Sequence, residues 1–102
     1  MTKPLHHQLL NESPDADAEY ERLRPRFEFV TAVVQTRTKL GWSQRDLARA
    51  VGVSQPVIAR LESGDHDPKL GTMLAVCRAL GLPLTVGQRT VLAKGEPATR
   101  TA

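Results

Sequence analysis

Four glycines cut the middle of this chain into segments that suit a small helical bundle and little else. Gly41, Gly52, Gly64 and Gly81 each follow apolar residues at helical spacing. A glycine just past the last periodic residue is a common helix stop. Two of the three intervals between them open on a polar start signal. Ser43 precedes one segment, with Asp46 three residues on as a capping-box variant. Ser54 precedes the next, with Pro56 in its first turn. Lys69 opens a third, which runs to about Leu80. Their expected buried faces are Leu47, Ala48 and Val51, then Val57, Ile58 and Leu61, then Leu70, Met73, Leu74, Cys77 and Leu80.

The flanks are less regular. Ser13-Pro14, followed by the acids from Asp15 to Glu21, starts a helix whose first turn suits the macrodipole. Tyr20 and Leu23 share a face of it at i, i+3. Arg24-Pro25 is expected to interrupt it, because the residue before proline avoids the α region. A further helix is then expected from about Pro25 to Leu40. Phe27, Val30 and Val34 form its stripe, with Phe29 and Val33 on a flanking row. Phe27-Glu28-Phe29-Val30 also reads as a strand, but the length and the stop at Gly41 favour the helix. Leu84-Thr85-Val86 and Thr90-Val91-Leu92 are short β-like runs around Gly87. They form either a hairpin or one edge strand. The expected divisions are a flexible N-terminus at 1–12, an acidic helical extension at 13–24, a helical domain at 25–82, a short strand segment at 83–92 and a disordered tail at 93–102.

Composition excludes several classes. At 102 residues the chain holds one domain and one modest core. No apolar run approaches the ~20 residues of a membrane span. The N-terminus lacks the apolar stretch of a secretory signal. The single cysteine, Cys77, can form neither an internal disulfide nor a zinc cluster, which fits a cytoplasmic protein. No cofactor or metal is expected. His6 and His7 have no partners at ligand spacing, and Asp65-His66-Asp67 reads as a loop, since three consecutive residues rarely converge on one ion. The chain shows no nucleophile triad, phosphate loop or His-Glu-x-x-His motif, and Cys77 falls on an apolar stripe. The reading is therefore not an enzyme.

Charge is uneven. The net +3 arises from −2 over residues 1–24, +3 over 25–64 and +2 beyond. A basic centre permits a nucleic-acid partner. The acidic extension could instead dock on a basic protein.

The segment from Trp42 to Gly64 carries the functional signal. Two amphipathic helices joined by a short turn at Gly52 have the logic of a helix-turn-helix. Ala48 is small where the helices approach, and Val53 plugs the core beneath the turn. The second helix turns Ser54, Gln55 and Arg60 outward, with Pro56 and Ala59 near them. Glutamine can pair bidentately with adenine and arginine with guanine. Serine and free helix N–H groups suit phosphate. Gln44, at the start of the preceding helix, is placed for a backbone phosphate, with Arg45 and Arg49 beside it.

From about Arg37 to Leu82 the chain resembles the lambda repressor/Cro-like helix-turn-helix family, also called the xenobiotic-response-element family. The matching residues are Ser43-Gln44, Leu47-Ala48, Gly52-Val53-Ser54-Gln55, Ile58, Leu61-Glu62, Gly64, Pro68, Leu74 and Ala79-Leu80-Gly81. The resemblance implies an all-α bundle of about five helices with residues 54–63 as recognition helix, here with an N-terminal helical extension and a short C-terminal β-like segment. It also implies that Arg37 pairs with Glu62. The DNA-binding set is then Ser43, Gln44, Arg45, Ser54, Gln55, Pro56 and Arg60. Pro56 departs from the family's usual polar reader and offers only apolar contact, for example to a thymine methyl.

Tyr20 to Phe29 and the β-like run after Gly81 resemble the flanks of HigA-type antitoxins. That resemblance implies an antitoxin that silences a RelE-like messenger-RNA-cleaving toxin and represses its own operon. The alternative is a stand-alone repressor of the phage type. Either binds a palindromic operator as a homodimer. The expected dimer surface is Leu82, Leu84 and Val86, with Val91 nearby. A strand there could instead fold back on its own chain or pair with the toxin.

Overall fold

The computed structural model describes residues 14–99. The expected 1–12 tail, His6, His7 and the Ser13 cap lie outside them. Helix α1 spans Pro14–Lys39, α2 Gln44–Val51, α3 Gln55–Ser63 and α4 Leu70–Leu80, followed by strands β1 (Leu84–Val86) and β2 (Arg89–Leu92). The described residues thus hold four helices rather than five. Two places in the chain decide this count.

The first is Pro25. It lies inside α1 and does not end it. Proline removes one helical hydrogen bond and crowds the preceding turn, at a cost of about 3 kcal/mol. Contacts on both sides hold the axis through it. The buried Tyr20 ring lies 6.1 Å from that of Phe27, across the proline. Arg26 donates to the Gly64 carbonyl at 3.2 Å and pairs with Asp67. Arg24 reaches back to Glu21 at 3.3 Å and forward to Glu28 at 3.9 Å, but these exposed pairs add little. Tertiary packing overrides the local break, and extension and bundle helix become one.

The second lies after α4. There the chain forms a two-stranded antiparallel hairpin. Val86 faces Arg89 across a two-residue turn in which Gly87 has φ +60°, as a hairpin turn with glycine first requires. Leu84 faces Leu92 and Thr85 faces Thr90, so Val91 is the extra residue of a bulge.

The core is Val33, Trp42, Leu47, Ala48, Ile58, Leu61, Val76, Ala79 and Leu80. Val33, placed by periodicity on the flanking row of its helix, is fully buried, while Phe27, Val30 and Val34 are half-buried. Two residues expected inside are not. Val57 is 41% exposed and Leu70 61% exposed. Leu70 is the first residue of α4, before the helix reaches the core. Cys77 is buried, and that burial pushes its thiol pKa up.

Residues 93–99, expected as disordered tail, run back over the bundle. Gly95 N–H donates to the Gly81 carbonyl at 3.3 Å and Ala98 N–H to the Ala79 carbonyl at 2.7 Å. Ala98 packs against the core. No helix among the described residues is long and apolar enough to cross a membrane.

Candidate nucleic-acid interface

Helix α2 is fastened at both ends. Ser43 Oγ accepts from Asp46 N–H at 3.0 Å, and an Asp46 carboxylate oxygen accepts from Ser43 N–H at 2.7 Å. This reciprocal box satisfies two donors that a helix start leaves open. At the other end Gly52 adopts φ +89°, and its N–H and that of Val53 both reach the Ala48 carbonyl. Only glycine takes that conformation without strain. The chain reverses there, and α3 starts three residues later. Ser54 stands at its N-cap with extended backbone, but its side chain makes no cap hydrogen bond.

Ile58 and Leu61 anchor α3 in the core. Glu62 turns back toward α1, and most of the remaining helix faces outward. Ser54, Pro56, Val57 and Arg60 are exposed, and Gln55 is half-buried. Pro56 and Val57 together put apolar surface between Gln55 and Arg60. Periodicity placed Val57, Ile58 and Leu61 all inside; Ile58 and Leu61 are buried and Val57 is not, because the stripe of a nine-residue helix is too short to choose between adjacent apolar residues.

Behind this face runs a chain of hydrogen bonds. Arg37 donates from Nε to one Glu62 oxygen at 2.7 Å and from Nη2 to the other at 2.9 Å. Its Nη1 donates to the Trp42 carbonyl at 2.8 Å. Gln44 Nε2 donates to Glu62 Oε1 at 2.9 Å, and Gln55 Nε2 donates to Gln44 Oε1 at 2.7 Å. The Arg37 and Glu62 side chains are 14% and 6% exposed. Forked arginine–carboxylate pairs of this kind are the strong ones. They tie α1 to α3, and Gln44 ties α2 to the same carboxylate.

The sequence readings placed Gln44 toward phosphate; in the fold it is half-buried and bonded to Gln55 and Glu62. No local sequence signal reveals that link, because it joins residues on two helices. Ser43, Arg45 and Arg49 are exposed at the outer side of α2. Arg49 lies 3.7 Å from Asp46. A shallow cleft of about 330 Å³ between α2 and the start of α3 is lined by Arg45, Ala48, Arg49, Val53 and Gln55. A second, of about 290 Å³ further along α3, has Val57, Arg60, His66, Asp67 and Lys69 in its lining. Lys69 and His66 were not among the expected site residues. Their only sequence signal is position, in the segment that directly follows α3. Two clefts carrying basic side chains thus flank the outward face of α3.

The expected dimer residues do not form one exposed patch. Leu82 and Leu84 are half-buried, and Leu82 packs on the core. Val86 and Val91 are the exposed apolar residues of the hairpin, at 66% and 49%. On α1, Glu19 is held below the usual carboxylate range by its hydrogen bond from Arg22. Glu21 pairs with Arg24. Much of the acidity of the extension is therefore matched within the helix. No cluster of three metal-ligating side chains occurs among the described residues.

A helix-turn-helix family profile matches residues 34–86. An uncharacterized HTH-type transcriptional regulator of Haemophilus influenzae is 38% identical over 61 residues, which cover 60% of this chain and 62% of that protein. The HTH-type regulator YgzD of Bacillus subtilis is 35% identical over 52 residues, 51% of this chain and 79% of its own length. The antitoxin HipB of Escherichia coli K12 is 24% identical over 67 residues, 66% of this chain and 76% of HipB. No solved structure matches. The matched region contains the capped α2, the Gly52 turn, the outward face of α3 and the hairpin strand β1, and these relatives are named as transcriptional regulators and an antitoxin. The chain belongs to the Cro/C1-type helix-turn-helix family, the DNA-binding domains of the lambda repressor/Cro-like kind.

Proposed function

We propose that the protein is a sequence-specific operator-binding repressor that places α3 in the major groove. The carrying observation is the outward face of α3. Gln55 and Arg60 stand ready for base edges, and Pro56 and Val57 offer apolar surface between them. Arg45, Arg49 and Lys69 in the flanking clefts supply phosphate contacts. Ser43 and Ser54 add hydroxyl donors at the helix starts. One such helix reads only a few base pairs, so two copies on a palindrome are required, with half-sites about one helical turn apart. The hairpin carrying Leu84, Val86 and Val91 is the proposed dimer element, next to Leu82.

The more specific reading is the antitoxin of a type II toxin–antitoxin pair, in the cytoplasm. Similarity to a protein named antitoxin supports it. The RelE-like class of the toxin rests on the resemblance of the Tyr20 to Phe29 segment. The second reading, a stand-alone repressor, is supported by the relatives named as transcriptional regulators.

Co-expression with the adjacent reading frame separates the two. Growth arrest by the neighbour alone, relieved by this chain and accompanied by a co-purifying complex, establishes the antitoxin. No toxicity and no complex leaves the stand-alone repressor. For the DNA claim, selection from a random duplex library with the full chain should return a palindrome. Failure to enrich any sequence contradicts it.

A further inference from the structure

One guanidinium in α1 holds two points of the segment that joins α3 to α4. Arg26 Nη1 donates to the Gly64 carbonyl at 3.2 Å, and Nη2 pairs with the Asp67 carboxylate. Its Nε has no acceptor, so the two Nη groups carry the whole tie. Gly64 is buried beside Phe27, the next residue of α1, and a Cβ on it would lie 3.6 Å from that ring. The family profile matches residues 34–86, so Arg26 holds the segment from outside the matched region.

The held segment carries His66 and Lys69. Its Asp67 and Pro68 line two clefts, one shared with Leu23 and Phe29 of α1, the other with Val57 and Arg60 of α3. Arg26 lines the first cleft and Lys69 the second. The segment therefore stands between Arg26 and the basic side chains beside the outward face of α3. Energy does not account for the pair. Asp67 is 85% exposed, and an ion pair that open to water contributes little stability. A planar guanidinium with two bonded partners supplies geometry instead.

We infer that Arg26 is a positioning residue for DNA binding: from α1 it fixes the Gly64–Lys69 segment and so places Lys69 for its phosphate, while touching no DNA itself. This rests on the DNA reading above. Asp67→Ala separates placement from charge. Removing a carboxylate beside a DNA-binding face should by charge alone tighten binding. Loss of placement weakens it.

The test has two arms. The first reads the tie without DNA, by ¹⁵N relaxation of the free protein. The backbone order parameters of His66 and Lys69 should lie near about 0.85 in the wild type and fall toward about 0.6 in Arg26→Met and in Asp67→Ala. Unchanged values in either folded variant overturn the tie. If Arg26→Met does not fold, as judged by circular dichroism, Asp67→Ala decides both arms.

The second arm uses the duplex selected by the wild-type chain. Asp67→Ala should bind it about fivefold more weakly at physiological salt and flatten the slope of log K against log salt by about 0.9, as the loss of one phosphate contact does. Equal or tighter binding overturns the proposal. Arg26→Met and Lys69→Ala then close a double-mutant cycle. If Arg26 acts through Lys69, the double variant binds within about twofold of Lys69→Ala alone. Losses that multiply would mean that Arg26 holds a phosphate of its own, and that also overturns the proposal. If the wild type selects no duplex, the DNA reading fails and the role in placing Lys69 with it, while the relaxation arm still judges whether Arg26 holds the segment.

Discussion

Gly81 and Gly95 lie so close that a side chain cannot come between them. A Cβ on Gly81 would sit 2.5 Å from the Gly95 carbonyl oxygen and 2.9 Å from Pro97 N. Gly81 also has φ +74°. Gly52 has φ +89° but open space around it. Both therefore carry the left-handed penalty of roughly 1 kcal/mol on substitution by alanine, and only Gly81 adds a clash with backbone. Gly81→Ala should cost clearly more than Gly52→Ala in urea unfolding. Equal losses would show that residues 95–97 do not rest on Gly81.

The Arg37–Glu62 pair predicts an asymmetry between breaking and replacing it. Glu62→Ala leaves a mostly buried guanidinium without its carboxylate, and should cost about 3 kcal/mol or more. Replacing both by apolar residues of similar size, Arg37→Met with Glu62→Leu, should recover most of that stability. Chemical denaturation of the wild type and the two variants checks this. A double variant no more stable than Glu62→Ala contradicts it.

Pro25 predicts a gain. It sits within α1 without an N–H for the Glu21 carbonyl. Pro25→Ala restores that bond and should raise stability by about 1–3 kcal/mol. An unchanged or lower midpoint would mean that the proline is favourable in the helix, against the account of α1 as a helix held together across it.

Cys77 predicts a pH dependence. Burial raises its pKa in the fold above the unfolded value of about 8.5. The unfolded chain therefore loses the proton first as pH rises. Stability is unaffected by this group below about pH 8.5 and falls as pH rises beyond it. Cys77→Ala should flatten the alkaline limb of the stability curve. In the folded protein at pH 8, alkylation by iodoacetamide should be slow and should speed up on unfolding. Rapid alkylation of the native chain contradicts the burial.

The helix-turn-helix was legible because its signals are local. Caps and stops occupy adjacent positions, and the glycines at 41, 52, 64 and 81 take the positive φ that their placement demanded. The errors fall where distant contacts decide. Pro25 carries a strong local break signal, and Tyr20, Phe27 and Arg26 override it through packing. Val57 and Ile58 are adjacent apolar residues, and only the docking angle of α3 chooses which is buried. The return of residues 93–99 is held by backbone bonds to Ala79 and Gly81, which leave no pattern in side-chain type. At the site, the exposure of Ser54 and Arg60 could be read from the period of one helix, while that of Val57 could not. The bonds from Glu62 through Gln44 to Gln55 could not, because they run between two helices rather than along one.

The central claim is that α3 reads DNA, and binding of the selected duplex measures it most directly. Fluorescence anisotropy should compare wild type with the Gln55→Ala, Arg60→Ala double variant on selected and scrambled duplexes, at low and physiological salt. The account predicts that the wild type prefers the selected duplex and that both proteins lose affinity steeply as salt rises. The double variant should lose about a hundredfold or more of the preference, at roughly 1–3 kcal/mol for each reading pair, while keeping weak, salt-sensitive binding to either duplex and a native circular dichroism spectrum. A folded double variant that still prefers the selected duplex as strongly as the wild type would contradict the account.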